Sequence, residues 1–242
     1  SRLSIVNSLS TQSLLTRAAS SGQVNPLVLL TESTGVELSR MTATGTSLFV
    51  GRNAGSLVTT TENNTFFGQD AGAANIGGRY NSFFGSSAGA ANTSGSGNAF
   101  FGRSAGISND AGANNAFFGH GAGASNTSGS SNAFFGQGSG DQNSTGINNS
   151  FFGTGAGFLN ATGTSNSFFG QGAGAGNTGG INNSFFGVQS GNSNLTGQYN
   201  SFFGDNSGDG NTTGNSNVVI GRNSALTNST GSNNIVIGVN IS

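Results

Sequence analysis

Residues 115–131 read NAFFGHGAGASNTSGSS, and residues 132–148 repeat the pattern as NAFFGQGSGDQNSTGIN. The phenylalanine pair, most of the glycines and the asparagines hold the same places in both segments. Self-similarity at a fixed, short period is the signature of a repeat architecture. The chain is therefore interpreted as a repeat protein with a 17-residue unit.

The period runs through most of the chain without insertion or deletion. We take as the marker the glycine that follows the Phe-Phe pair in nine units, Phe-Val in the first and Val-Ile in the last two. The other positions of the unit are numbered from it, so that +4 lies four residues later. Glycine recurs at +4 and +10, a small residue at +3, and asparagine at +7 and +13. Twelve markers follow one another at this constant interval: Gly51, Gly68, Gly85, Gly102, Gly119, Gly136, Gly153, Gly170, Gly187, Gly204, Gly221 and Gly238.

This unit favours short strands and tight corners over helices. Each of its glycines would cost a helix about 1 kcal/mol, whereas glycine and asparagine tolerate the left-handed conformations of tight turns. The segment of asparagine, a small residue and two phenylalanines is typical of a short strand. Identical strands stack in register about 4.8 Å apart. The sequence predicts an all-β, parallel β-solenoid (β-roll) of twelve 17-residue coils over 47–242, a rod on the order of 55 Å long.

The asparagines at +7 would lie above one another in such a stack. Side-chain amides stacked in this way hydrogen-bond along the axis, as in cross-β assemblies. The alternative is that they are only turn formers, and both roles are compatible. The predicted ladder comprises Asn75, Asn92, Asn109, Asn126, Asn143, Asn160, Asn177, Asn194, Asn211 and Asn228.

The aromatic pair predicts self-association. Adjacent strand residues point to opposite faces, so one ladder fills the interior and the other points outward, in either order. An exposed stripe of phenylalanines exceeds what soluble monomers usually show, and two further copies of the chain would cover it in a homotrimer. The alternative is a wide single solenoid that bends at the pair. The ladder residues are Phe66, Phe67, Phe83, Phe84, Phe100, Phe101, Phe117, Phe118, Phe134, Phe135, Phe151, Phe152, Phe168, Phe169, Phe185, Phe186, Phe202 and Phe203.

The two ends differ from the repeat. Residues 1–46 lie outside the period and are expected to be a β-rich cap or docking segment, because open solenoid ends expose unpaired strands. The last coil, 234–238, is followed by only a few residues. Two explanations stay open: a boundary cut from a longer fibre, or an interface that receives the N-terminal segment of the next subunit and builds a head-to-tail filament.

Two stretches carry a family resemblance. The units NVVIG at 217–221 and NIVIG at 234–238 resemble repeats in head domains of trimeric autotransporter adhesins, and the NSFFGxxAG form is similar to repeats of bacteriophage tail fibres and bacterial surface fibres. Over residues 47–242, the resemblance implies parallel β-roll coils, three chains, an extracellular location and an adhesive or structural role. The 17-residue period and the aromatic pair depart from the adhesin pattern.

The titratable residues do not form a recognisable active site. His120 occupies the variable +1 position and is expected to face solvent. Without cysteine or a second histidine, the chain offers no zinc site and no Cys-His nucleophile. Asp205 and Asp209 resemble the start of a calcium loop, but Ser216 stands where the closing glutamate belongs. Neither a metal nor a cofactor is predicted, and the chain is not expected to be an enzyme.

The net charge and the hydropathy of the chain limit the kinds of partner that it is expected to bind. The net charge is −1 and the seven arginines are scattered, so no nucleic-acid partner is expected. No apolar run reaches the roughly 20 residues of a membrane helix. The leading hypothesis is a structural rod or fibre of the cell or virion surface, with itself as partner. An adhesin head or phage-type tail fibre that binds a surface receptor or glycan is the alternative, and an ice-binding solenoid is a minor one.

Overall fold

The computed structural model describes residues 4–6, 13–16, 28–31, 37–44, 46–59 and 63–241. Its strands form one sixteen-stranded sheet in which spatial order follows chain order, and the described residues contain no helix. The strands are β1 (Ser4–Val6), β2 (Ser13–Thr16), β3 (Val28–Thr31), β4 (Glu37–Thr44), β5 (Ser47–Val50), β6 (Thr65–Phe67), β7 (Ser82–Phe84), β8 (Ala99–Phe101), β9 (Ala116–Phe118), β10 (Ala133–Phe135), β11 (Ser150–Phe152), β12 (Ser167–Phe169), β13 (Ser184–Phe186), β14 (Ser201–Phe203), β15 (Val218–Ile220) and β16 (Ile235–Ile237).

Strands β5 to β16 are the parallel solenoid that the repeat predicts. Each strand pairs in parallel with the strand of the next coil, and equivalent residues lie opposite each other, as Phe117 and Phe151 lie opposite Phe134. The shift between paired residues is one unit of the sequence repeat. The prediction of an all-β parallel solenoid with twelve strands and 17-residue coils is therefore confirmed.

Strands β6 to β16 are only three residues long because the marker glycine turns the chain. Gly136 has a φ of 139°, a conformation that residues with a side chain rarely adopt. A Cβ at this position would stand 2.5 Å from the carbonyl oxygen of Gly153 in the next coil. The close stacking of successive coils at this corner thus requires glycine for both dihedral and steric reasons.

The backbone also pairs between coils outside the strands. In the coil that begins at Gly119, the N–H of Gly123 donates to the carbonyl of Ser139 in the next coil at 3.0 Å, and that of Ser125 donates to Asp141 at 2.8 Å. The intervening amide of Ala124 donates within its own coil, to Gly121. This alternation satisfies polar groups of the corners that a thin solenoid cannot leave buried and unpaired.

The interior of each coil is narrow and holds few side chains. Its apolar part is the first phenylalanine of the pair and the small residue at +3, as in Phe100 and Ala105, both 0% exposed. A Cβ at Gly106, the +4 glycine, would lie 2.5 Å from the Phe100 ring. The +4 glycine therefore makes room for the ring, and one aromatic side chain fills the coil.

The described strands of the N-terminal segment continue the same sheet with the opposite pairing. β1 to β4 form antiparallel neighbours, and β4 pairs antiparallel with β5, with Thr44 opposite Ser47. Parallel pairing begins between β5 and β6. The predicted cap or docking segment, 1–46, thus contains strands that occupy the sheet edge that β5 would otherwise expose.

Substitution of a marker glycine should destabilise the protein more than substitution of a glycine with open surroundings. Gly136→Ala introduces a disfavoured φ and a backbone clash, and we expect a loss of about 3 kcal/mol or more in the free energy of unfolding. Gly155 also has a positive φ, 64°, but a Cβ there meets nothing within 4 Å, so Gly155→Ala should cost about 1–2 kcal/mol. Denaturant unfolding followed by circular dichroism measures both, and equal losses would contradict the close-approach argument.

Candidate functional site

The phenylalanine pair divides between the inside and the outside of the solenoid. The first ring of each pair points inward and is 0% exposed, and it stacks on its equivalents with ring centroids 4.8 Å apart. The chain does not bend at the pair to hide both rings. The inner ladder consists of Phe66, Phe83, Phe100, Phe117, Phe134, Phe151, Phe168, Phe185 and Phe202, and is extended by Phe49 and Val219.

The second ring of each pair forms a ladder on the outer surface of the sheet. We call this surface, positions +14 and +16 of β6 to β16, the outer aromatic face. Ring centroids are 4.7–5.1 Å apart and ring planes lie within 3–7° of parallel. The aromatic ladder is Phe67, Phe84, Phe101, Phe118, Phe135, Phe152, Phe169, Phe186 and Phe203, and Ile220 and Ile237 continue it.

Strand spacing explains the geometry of this stack. Parallel strands lie about 4.8 Å apart, which falls within the separations that stacked aromatic rings favour. Neighbouring rings therefore cover one another's faces and leave their outer edges to solvent. The rings from Phe67 to Phe169 are half-buried, whereas Phe186 and Phe203 are 37% and 40% exposed. The result is a continuous apolar strip that runs along the rod.

The +7 asparagines form a buried hydrogen-bonded ladder. The amide Nδ2 of Asn126 donates to Asn109 Oδ1 at 2.6 Å and to the carbonyl of Gly129 at 3.0 Å. Its own Oδ1 accepts from Asn143 Nδ2 at 2.8 Å. These links run from Asn75 to Asn211, and each amide also closes the corner of its own coil. The same residues are thus ladder members and turn formers.

Asn228 is an exception to the predicted ladder. Its Oδ1 accepts from the backbone N–H of Gly231 at 3.0 Å, and Asn211 Oδ1 accepts from Asn217 rather than from Asn228. In coils such as that of Gly129, the equivalent N–H donates to a carbonyl of the following coil, Ser144. No described coil supplies this carbonyl beyond Gly231, so the Asn228 side chain replaces it. The inclusion of Asn228 in the ladder was wrong.

A second buried ladder, at +13, was not recognised from the sequence as a ladder. The side-chain Oδ1 of Asn115 accepts the backbone N–H of Asn132 at 3.0 Å, and Asn132 Nδ2 donates to the Gly146 carbonyl at 2.8 Å. The regular recurrence of asparagine at +13 was the available signal. The bond pattern was not predictable because it joins each side chain to two backbone groups of the following coil, as Asn115 is joined to Gly129 and Asn132.

Some of the +7 asparagines belong to glycosylation sequons, and their burial determines whether an enzyme can reach them. Asn92 and Asn126 begin Asn-Thr-Ser sequons, but both side chains are 0% exposed and their amides donate within the ladder. The folded coil therefore does not present these two amides to a glycosylating enzyme.

The two candidate calcium ligands are not brought together with further ligands. Asp205 is exposed, and Asp209 is half-buried and accepts a hydrogen bond from Ser193 Oγ at 3.2 Å. Within the described part of the chain, no group of three or more histidine, cysteine, aspartate or glutamate side chains is placed to hold a metal ion.

His120 lies at the exposed +1 position near Asp141 of the next coil. Burial raises the pKa of the Asp141 carboxyl above its ordinary value, and the nearby charge of His120 opposes this rise by a smaller amount. The folded state therefore disfavours the Asp141 carboxylate. Of the two side chains, His120 is exposed and Asp141 is half-buried.

In the described coils, the threonines at position +8 do not form an unbroken row of the kind that an ice-binding face would need. At +8 the hydroxyls of Thr127 and Thr178 donate to carbonyls of the next coil at 3.0 Å. Asp110, Ala161 and Leu195 interrupt this row. The hydroxyls at +8 therefore serve the stacking of coils.

The chain matches no protein-family model, no curated protein and no solved structure. The resemblance to adhesin heads and tail fibres therefore stays a prediction. Among the residues placed by the structure, none belongs to a helix long and apolar enough to cross a membrane.

Loss of one ladder asparagine should destabilise the rod strongly. Asn126→Ala removes three buried side-chain hydrogen bonds and leaves Asn109 Oδ1 without its donor. We expect a loss of about 3 kcal/mol in the free energy of unfolding. Asn228→Ala is the matched control, because it removes the same residue type at the same repeat position where the ladder bond is absent. Denaturant titration compares the two, and equal costs would show that the ladder bonds contribute little.

Asp141→Asn should stabilise the protein at neutral pH and not at acidic pH. The raised pKa means that the carboxylate destabilises the folded state once the pH exceeds the value of the unfolded chain, about 4. Below that pH the carboxyl is protonated in both states, and the benefit of the amide disappears. Thermal midpoints at pH 7 and pH 3 test this, with the exposed Asp205→Asn as control. A benefit that persists at pH 3 would contradict the burial effect.

Proposed function

We propose that the chain is a structural rod protein of an extracellular fibre or of a cell or virion surface, and that three copies pack through their outer aromatic faces. The observation that carries this proposal is the outer ladder of stacked phenylalanines. Its rings repeat at the spacing of the coils over nine consecutive strands, β6 to β14. An apolar strip of this length is typical of an association surface rather than of the surface of a soluble monomer.

The geometry of the strip favours copies of the same chain. A partner with the same repeat presents rings at the same interval, so that contacts made at one coil recur at every coil. The side chains beside the rings, at position +14, are small over most of the face, as Ala116, Ala133 and Ser150 show. Small neighbours allow the rings of a second copy to approach closely. Three strips that meet at a common axis would cover one another.

Mechanical stiffness would follow from the bonds that run along the axis. Strand pairing and the corner amides join each described coil to the next, and the two asparagine ladders add side-chain bonds along most of the rod. Stability of such a stack is approximately a sum of terms within coils and between neighbours. Bending or stretching the rod would therefore break many bonds together.

End-to-end growth is a further part of the proposal. The antiparallel strands β1 to β4 stand at one end of the sheet and β16 at the other. On β16, Ile235 and Ile237 are 74% and 69% exposed. Pairing of β16 with the N-terminal segment of another subunit would extend the sheet and give a head-to-tail filament.

A second candidate function is that of an adhesin head or tail fibre that binds a surface receptor or glycan. One observation favours it: exposed +1 residues differ from coil to coil on an otherwise constant frame. Gln69, Arg103, His120 and Thr154 all occupy this position and are exposed. A regular scaffold that presents varied side chains is suited to recognition.

The oligomer proposal predicts that polar substitutions on the outer aromatic face abolish association without unfolding the chain. The variant Phe118→Thr, Phe135→Thr and Phe152→Thr retains the inner ladder and strand-compatible side chains. We expect the unchanged protein to sediment with three times the chain mass, and the triple variant with the chain mass. Analytical ultracentrifugation measures this, and circular dichroism checks that both remain folded.

A matched control removes equal numbers of exposed apolar side chains elsewhere. Ile76, Ile147 and Leu195 are 46%, 41% and 44% exposed and lie outside the outer aromatic face. Their replacement by threonine should leave the mass unchanged. A monomeric unchanged protein at micromolar concentration would refute the trimer, and electron microscopy of the same sample would show whether rods join into filaments.

A further inference from the structure

A trough interrupts the surface of the rod between the coils that begin at Gly153 and Gly187. It is a shallow depression, widely open to solvent, with a volume of about 430 Å³. This volume lies in the size range of small-ligand sites. Phe158 and Leu159 border it in one coil, and Gln189 and Asn192 border it two coils further along. Gln171 and Ala175, of the coil between them, also line it.

The trough results from side-chain size on a rigid backbone. Position +5 is filled by Phe158, Ala175 and Asn192 in three successive coils, so a small side chain lies between two larger ones. The backbone below is held by the bonds Leu159 N–H to Ala175 carbonyl at 2.9 Å and Gly176 N–H to Asn192 carbonyl at 2.8 Å. Its walls stand two coil spacings apart, about 9.6 Å. The cavity is therefore present before any ligand binds.

The lining combines an apolar platform with free amide groups and no charge. Phe158 and Leu159 are 37% and 39% exposed. The side-chain amides of Gln171, Gln189 and Asn192 make no hydrogen bond to any part of the chain that the structure describes. Each amide can donate and accept. No aspartate, glutamate, arginine or histidine lines the trough.

We propose that this trough binds a pyranose unit of a neutral glycan. A sugar ring carries an apolar C–H face that can pack on Phe158 and hydroxyl groups that pair with amides as both donors and acceptors. The uncharged lining does not match an anionic or cationic ligand, and an open trough admits one residue of a longer chain. The site is independent of the outer aromatic face, so the proposal does not rest on the structural role or on the trimer.

The test uses the full chain and a set of neutral hexasaccharides: maltohexaose, cellohexaose, chitohexaose, laminarihexaose and mannohexaose. Isothermal titration calorimetry at millimolar sugar should detect binding of at least one of them. Phe158→Ala removes the platform, and Ala175→Leu fills the trough. Each is expected to weaken this binding about tenfold or more.

Matched controls occupy the same repeat position in other coils. Leu226→Ala removes an exposed apolar side chain at +5, and Ala124→Leu enlarges an alanine at +5, both away from the trough. Both should retain the affinity of the unchanged protein. Absence of binding to all five sugars, or equal binding by Phe158→Ala, overturns the proposal. Sedimentation of each variant separates the outcomes, since a monomer that binds sugar contradicts only the trimer, and a trimer that binds none contradicts only this site.

Discussion

Every coil of this protein must accept a copy of itself at a distance of about 4.8 Å, and the rest of the structure depends on this constraint. A side chain at a buried position contacts the same side chain above and below. Few residue types tolerate that arrangement. Phenylalanine stacks on phenylalanine, and the asparagine amide both donates and accepts, so that Asn109, Asn126 and Asn143 satisfy one another. Like charges at such positions would repel.

The same constraint explains the role of glycine. Successive coils approach closely at the marker glycine. A methyl group on Gly136 would overlap the carbonyl oxygen of Gly153. At +4, glycine leaves room for the ring of its own coil. The narrow interior contains one aromatic side chain and one small residue per coil, and it depends on polar ladders as much as on apolar burial. Hydrogen bonds along the axis therefore stabilise the fold alongside the burial of apolar side chains.

The positions of the unit that hold the coil together differ from the positions that we propose for function. The inner ring, the two asparagines and the three recurring glycines hold the coil, whereas +1, +5 and +6 vary without disturbing the stack. Differences in size at +5 are sufficient to form a trough between Phe158 and Asn192. The outer aromatic face is a surface that is both regular and apolar. The proposed self-association and glycan binding thus use different faces and different kinds of sequence information.

The sequence alone determined the period, the parallel in-register stacking and the +7 ladder, because a strict repeat with glycine and asparagine at fixed places allows few other folds. It could not decide which ring of each pair faces inward, since Phe117 and Phe118 are chemically identical and alternation specifies only that they differ. Only the tertiary structure decided this, because a turn at the marker glycine and the space above Gly123 orient the first ring inward. The tertiary structure also separated Asn228 from the ladder, showed that Asn115 bonds to backbone, and formed the trough. These features depend on which backbone groups and side chains the neighbouring coils place beside a residue. The sequence of a single unit does not contain that information.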